Sequence, residues 1–273
     1  MNSMIMKSLK TFDPVPSCRQ EHIRDVGRFL SAYAAYLLGC GATCVRLEKN
    51  VARMAEAWRM EATMAIMPRH IHLTVSDKLG LDTFTFIAPI RNGMVSYDIN
   101  TRLSRLSWDI ADRGTGVDEA YEEFHRICRT PPAHTLWVLL AASLANASFC
   151  RLFGGDFVAM GVVFVATVAG YCLKQLLLER KMDVRVVFIL CAFVSSVLGA
   201  TDGLFALGTT PSVALGTSVL YMVPGIPLLN AFSDMLDGHY VCSFSRMTNS
   251  VILTCCLSIG LYAGMWLMNV RMF

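Results

Sequence analysis

Polar and apolar positions divide this chain into two regimes, with short alternating periods as far as Cys128 and long apolar runs beyond Pro131 and Pro132. In the first regime the run Phe29 to Gly39 falls short of the roughly 20 residues that a spanning helix needs. It reads as the buried face of an amphipathic helix, with Arg19, Arg24 and Arg28 on its earlier, wetter turns. In TCVRLEKNVARMAEAWRM the apolar residues Val45, Val51, Met54, Ala55 and Trp58 fall at helical spacing, and Thr43 precedes them as an N-cap. Arg46, Glu48, Arg53 and Glu56 then form a solvated face with pairing three and four residues apart. The runs ATMAIM, HIHLTV and DTFTFI carry β-formers in alternation and predict strands, separated by Pro68 and a turn at Ser76 to Gly80. Helical spacing returns over Asn100 to Asp112 and Asp118 to Cys128. The order α, α, β, β, β, α, α predicts one α+β domain over residues 1–133.

The second regime, residues 134–273, predicts a transmembrane domain of five helices, at about 134–150, 157–178, 184–206, 212–232 and 247–270. Each run can cross about 30 Å of hydrocarbon, the first only barely. An odd number of crossings puts the two termini on opposite sides. The predicted fold class is therefore membrane α-helical, an N-terminal cytoplasmic α+β domain followed by a five-helix transmembrane domain.

Composition sharpens this division. Hydrophobic residues make up 54% and charged residues 16% of the chain, against roughly 25% charged in soluble domains. Residues 1–133 hold 32 of the 45 charged side chains. With the N-terminal domain inside, Arg126, Arg129, Lys174, Arg180, Lys181, Arg185 and Arg246 flank the inner membrane face, and only Arg151 and Arg271 the outer, which favours a cytoplasmic N-terminal domain. The first ten residues carry no apolar core of a secretory signal. A net charge of +3, with no basic helix or aromatic single-strand motif, gives no reason to expect nucleic acid as a partner. The ten cysteines form no C-x-x-C pair and read as reduced packing residues.

Chemistry concentrates in YMVPGIPLLNAFSDMLDGHY, residues 221–240. Pro224, Gly225 and Pro227 break the fourth apolar segment, leaving a second short helix to Asp237 with Gly238 as its stop. The N-terminus of such a half-helix offers unpaired N–H groups and partial positive charge to a carboxylate. Asn230 and Asp234, four apart, share a face, and Asp237 follows three later. The bland alternative is a helix that ends at the interface with both aspartates in water. Asn230 fits ligand contact and helix–helix bonding equally well.

Other polar residues read as structural. Asp202, in GATDGLF, could face a polar pathway or sit in an outer loop, with the loop favoured by Gly199, Thr201 and Gly203 around it, and Asp156 is expected at a turn or cap. Lys174 is placed to snorkel near a helix end. His70 and His72 share one strand face without a third ligand nearby, so no metal site is expected. Gly260 and Gly264 permit close helix contact, within the chain or with a partner. The chain has no P-loop, nucleophile elbow or H-E-x-x-H, and no cofactor is expected.

VPGIPLLNAFSDMLDGHYVCSFSR resembles the proline-glycine, asparagine, aspartate, glycine and arginine pattern near the end of the threonine/serine exporter (ThrE-like) family. GATCVRLEKNVARMAEAW is similar to that family's N-terminal region. The resemblance covers about residues 20–270, and the matching positions are Pro224, Gly225, Pro227, Asn230, Asp234, Gly238 and Arg246. Fused members carry a second membrane domain. This chain looks instead like the large subunit of the split (YjjP-like) form, which works with a small membrane subunit. The resemblance implies a non-enzymatic exporter subunit in the bacterial inner membrane. It would move small carboxylate-bearing metabolites, threonine and serine or dicarboxylates such as succinate, with the proton gradient as driving force. Pro224, Gly225, Pro227, Asn230 and Asp234 would bind or couple, while Gly238 and Arg246 would shape the motif. Self-association is also compatible with such a half-transporter. Two other classes share parts of the pattern: a sensing or regulatory membrane subunit, and a membrane-anchored enzyme with its chemistry in the N-terminal domain.

Overall fold

The computed structural model describes residues 18–78, 80, 82–90, 95–131, 133–205 and 208–270. The chain is mostly helical and divides into two compact units, one of residues 1–130 with 236–242, the other of residues 131–235 with 243–273.

The first unit is built around α1 (Cys18–Gly39). Ile23, Val26, Phe29, Leu30, Tyr33, Ala34 and Leu37 recur at helical spacing and are all fully buried, so one face of α1 makes the core. That face lies on an antiparallel sheet of β1 (Met60–Ile66), β2 (His70–Asp77) and β3 (Thr83–Pro89), in the order β1-β2-β3. Ile71 faces Ala88, Leu73 faces Phe86 and Val75 faces Phe84 across β2 and β3. Gly27 leaves room for the ring of Phe86 where a side chain would collide. On the other face of β2, His70 and His72 are exposed, and no group of three or more metal-ligating side chains forms among the described residues.

Helices α2 (Cys44–Ala57), α3 (Tyr97–Arg113) and α4 (Val117–Cys128) complete this unit. Thr43 caps α2 by accepting from the N–H of Arg46. Ser96 does the same for α3 through Ile99 N–H, which starts that helix three residues before the expected Asn100. Phe29 sits at the centre of an aromatic cluster, with ring centroids 5.4 Å from Trp58 and 5.1 Å from Tyr121. Arg53 departs from the solvated face expected for it. It donates to Asn50 at 3.2 Å and to Ser107 at 2.6 Å, and its guanidinium lies 3.6 Å from the ring centroid of Trp108. Asn50 in turn donates to the hydroxyl of buried Tyr33, which donates to the Leu103 carbonyl. A polar side chain at the α2–α3 seam thus finds partners that spacing along α2 alone does not reveal. The segment 236–242 contributes Cys242, whose Sγ donates to the Ile66 carbonyl, and His239, 3.3 Å from Glu48.

Among its described residues the second unit contains four helices long and apolar enough to cross a membrane: α5 (Thr135–Leu152), α6 (Phe157–Glu179), α7 (Val184–Leu204) and α10 (Tyr240–Leu267). Between α7 and α10, α8 (Pro211–Thr217), a 3-10 turn at Leu220–Met222 and α9 (Gly225–Leu236) replace the continuous fourth helix. The pair is bent by 63° and would make a fifth span only if counted as one. Leu, Phe and Trp side chains such as Leu144, Phe157, Phe244 and Trp266 are exposed on the outside of this unit, which suits lipid rather than water.

Inside, small residues let the helices approach. A Cβ on Gly260 would meet the Ile189 carbonyl and Ala192, and one on Gly264 would strike the hydroxyl of Ser196. Gly260 and Gly264 thus serve close packing of α10 against α7. Asn146 of α5 is buried and donates to Thr167 of α6 at 2.7 Å and to the Thr217 carbonyl of α8 at 3.1 Å. Gly264→Val forces atoms into Ser196 and is expected to destabilise the purified chain by about 1–3 kcal/mol in a denaturation series. Gly161→Ala, with open space around its Cβ, serves as the control and leaves stability unchanged or slightly raised.

Candidate functional site

The candidate site is the interruption in the fourth apolar segment. The 3-10 turn ends at Met222, Val223 and Pro224 carry the chain around the bend, and α9 begins at Gly225. Proline suits these positions for two reasons. Pro224 has no N–H to leave unsatisfied at the bend, and Pro227 lies in the first turn of α9, where an N–H would lack an acceptor within the helix. The N–H of Gly225 bonds to Val223 at 2.8 Å and that of Leu228 to Pro224 at 3.2 Å. Gly238, with φ of +85°, adopts the left-handed conformation just past the end of α9, where glycine stops a helix most easily.

Pro224, Gly225, Pro227 and Asn230 are all half-buried, whereas Asp234 is completely buried. Its carboxylate lies 3.0 Å from the guanidinium of Arg246 on α10, whose side chain is 21% exposed. The same helices are tied by the hydroxyl of Ser243, which donates to the Ala231 carbonyl at 2.7 Å. Asp234 therefore faces the interior of its unit rather than water, and Arg246 neutralises it there. Asp237 is exposed. Of the motif residues, the structure joins Asp234 and Arg246 directly and strings the others along the bend and first turns of α9.

Sequence reading missed the residues that brace the bend. Tyr221, in the 3-10 turn, has its hydroxyl 3.1 Å from that of Ser195 on α7, and that hydroxyl occupies the space a Cβ on Gly170 of α6 would need. A tyrosine just before a proline-glycine break was the available signal. Two cavities, of about 310 Å³ and 360 Å³, lie elsewhere in the unit. Ala200, Gly203, Pro211 and Asn269 help line the first, Phe157, Gly161 and Leu198 the second, and no motif residue lines either.

Asp202 departs most from expectation. It belongs to the last turn of α7 and is fully buried, not part of a loop. Asp156 caps α6, accepting from Ala159 N–H at 2.7 Å and from the hydroxyl of Thr209 at 2.9 Å. The N–H groups of Ala159 and Thr209 hold its carboxyl below the usual carboxylate range. Lys174 lies 5.7 Å from the Phe188 ring.

In the first unit Cys40 and Cys128 are poor nucleophiles. Burial pushes Cys128 up to about 11 and raises Cys40 as well, so both stay protonated at neutral pH.

The family model described as "Putative threonine/serine exporter" matches residues 28–268 of the chain. A protein named probable succinate transporter subunit YjjP, from Klebsiella aerogenes, is 27% identical over 250 residues, 91% of this chain and 96% of that protein. The protein of the same name from Escherichia coli K12 is 29% identical over 158 residues, 57% of this chain and 60% of that one. A probable threonine/serine exporter from Mycobacterium tuberculosis is 20% identical over 244 residues, covering 88% of this chain but 46% of the relative. No solved structure matches.

The Asp234–Arg246 contact can be tested apart from any activity. Asp234→Asn and Arg246→Gln each leave one member of the pair alone, and each is expected to cost about 3–5 kcal/mol of stability in lipid or detergent. The double variant is expected to lose clearly less than the sum of the two. Strict additivity in thermal or denaturant unfolding would show that the two groups do not interact.

Proposed function

Because the chain belongs to the threonine/serine exporter family, we propose that it is the large subunit of a two-component secondary exporter of small carboxylate-bearing metabolites. The observation that carries the reading is the buried Asp234–Arg246 pair beside a broken membrane helix. A broken helix presents its N-terminus to an anion. A guanidinium already neutralised by an internal carboxylate can exchange that partner for a carboxylate of the cargo. In this mechanism Arg246 receives the cargo's carboxylate and Asn230, one turn before Asp234 on α9, orients it, while the break at Pro224, Gly225 and Pro227 sets the position of α9. Asp234, displaced from Arg246, takes up a proton, because a lone carboxylate is costly away from water. Return of Asp234 to Arg246 releases both the proton and the cargo.

An excess of Lys and Arg on one side of the apolar segments supports a bacterial cytoplasmic-membrane protein with the N-terminal unit inside and the C-terminus outside. Membership of a transport family sets the membrane-anchored enzyme aside. A small membrane subunit as partner is supported by the match to nearly the whole of a relative named transporter subunit and to less than half of one named exporter. The serine, threonine and succinate readings differ in one respect: a dicarboxylate needs a second cationic or donor group beside Arg246.

The test is efflux from cells preloaded with labelled serine, threonine or succinate, expressing this chain with and without the small membrane subunit. Efflux of at least one label is expected only when both chains are present. Arg246→Lys keeps the charge but loses the planar fork, and is expected to raise the KM for the exported label roughly tenfold at unchanged protein level. If no label leaves under any combination, the exporter reading fails and a sensing subunit becomes the better account.

A further inference from the structure

Asp234 is not the only carboxylate buried in the membrane unit. Asp202 is also fully shielded from solvent, and neither of its oxygens makes a hydrogen bond of acceptable geometry among the described residues. The backbone of Gly208 lies beside it, and a Cβ on that glycine would sit 2.9 Å from Asp202 Oδ1. The same Cβ would sit 2.8 Å from Asp156 Oδ2. The two carboxylates thus border one small space, where α6 begins and α7 ends.

Their surroundings differ sharply. Asp156 accepts from Ala159 N–H and from both the N–H and the hydroxyl of Thr209, a donor set that favours the ionised form. Asp202 has only the Gly208 backbone beside it, with no bond of acceptable geometry among the described residues, is buried, and faces that anion. An isolated carboxylate in this position is strongly disfavoured, and a second negative charge close by disfavours it further. Among the described residues no cation compensates it. Arg151, at the end of α5, donates to the Gly155 carbonyl at 3.0 Å and lies over the Phe157 ring. Among the described residues, α8 and the last turns of α7 and α10 add no other titratable side chain. The described residues also form no cluster of three or more metal-ligating groups, and Asp156 already spends its oxygens on N–H and O–H donors.

We propose that Asp202 is a proton-binding site of the membrane unit, set against the fixed anion of Asp156 at the end of the unit opposite Asp234. Protonation transfers a proton from hydronium to an Asp202 oxygen, forming an O–H bond and releasing water, and the neutral acid then sits without charge beside Asp156. Deprotonation reverses this when the end of α7 opens to water. The placement rests on the exporter reading in one respect only: with the N-terminal unit inside, this end faces outward, where an inward proton gradient would load it.

Infrared spectroscopy of the full chain reconstituted in lipid tests the site without reference to transport. Wild type minus Asp202→Asn is expected to contain the C=O stretch of a protonated carboxyl, converting to carboxylate as the medium is made alkaline. The asparagine matches the neutral acid in size and charge, so the variant is expected to elute and melt like wild type. A difference spectrum without a protonated-carboxyl band across the titration overturns the proposal, as does a carboxylate band that shifts with sodium instead of pH. With the small subunit present, Asp202→Asn is expected to lose the acceleration of efflux by an inward proton gradient; unchanged acceleration also overturns the coupling role. Wild-type cells that export nothing count against the exporter reading, and the infrared band still decides Asp202.

Discussion

A backbone that leaves the helix inside hydrocarbon has no water to satisfy its N–H and C=O groups, and the architecture of the membrane unit answers that constraint. At the bend before α9 the chain discards donors and pairs most of those that remain. Pro224 and Pro227 have no N–H, while Met222, Val223 and Gly225 bond to carbonyls two or three residues back. Protein rather than lipid must then cover the bend. Tyr221 reaches Ser195 on α7 and fills the space above Gly170 on α6. The interruption and the small residues facing it are one feature seen from two sides.

The same logic explains why α7 is the most buried of the spanning helices, with 44% of its apolar window buried against 22–28% in the others. It must receive α6, α8 and α10 at once. Alanine, serine and glycine at Ala192, Ser195, Ser196 and Gly199 allow this, and a Cβ on Gly199 would run into Ser218. Hydroxyls that would be idle in hydrocarbon bond back to their own helices, as Ser196 does to the Phe193 carbonyl. Large apolar side chains consequently collect on the outside, the reverse of a soluble core.

Much of this was legible in the sequence because each element carried its own period. The alternation in HIHLTV predicted β2 with its histidines on the open face, and Pro224, Gly225 and Pro227 predicted the bend. Features set by a distant partner were not legible. Arg53 looks like a surface residue on α2 until α3 supplies Ser107 and Trp108. Asn146 carries no local signal for bonding Thr167 and Thr217, 21 and 71 residues away. GATDGLF misled for a definite reason. Gly199 and Gly203 suggest a loop, yet in α7 they serve close approach to Ser218 and Pro211, and the aspartate between them goes inside with the helix. The pairing of Asp234 with Arg246 lies across a helix turn and a left-handed glycine, so no spacing rule could announce it.

The two buried aspartates place opposite demands on the protein. Asp234 has a cation within 3.0 Å, so it is stable as an anion and becomes costly only when Arg246 is drawn away. Asp202 has an anion for a neighbour and is costly as an anion until something neutralises it. A proton relieves the second at once and the first only after the ion pair opens. By chain direction α9 and α7 run to opposite ends of the unit, Asp234 lying near one and Asp202 near the other. A proton arriving at Asp202 and a carboxylate arriving at Arg246 therefore act on separate carboxylates joined through the packed α7–α10 seam, where Gly260 and Gly264 leave no slack. Any movement of α10 that frees Arg246 must slide against α7, and α7 ends in Asp202. On the proposed reading, this shared seam gives proton binding at Asp202 a physical means of influencing the Asp234–Arg246 pair.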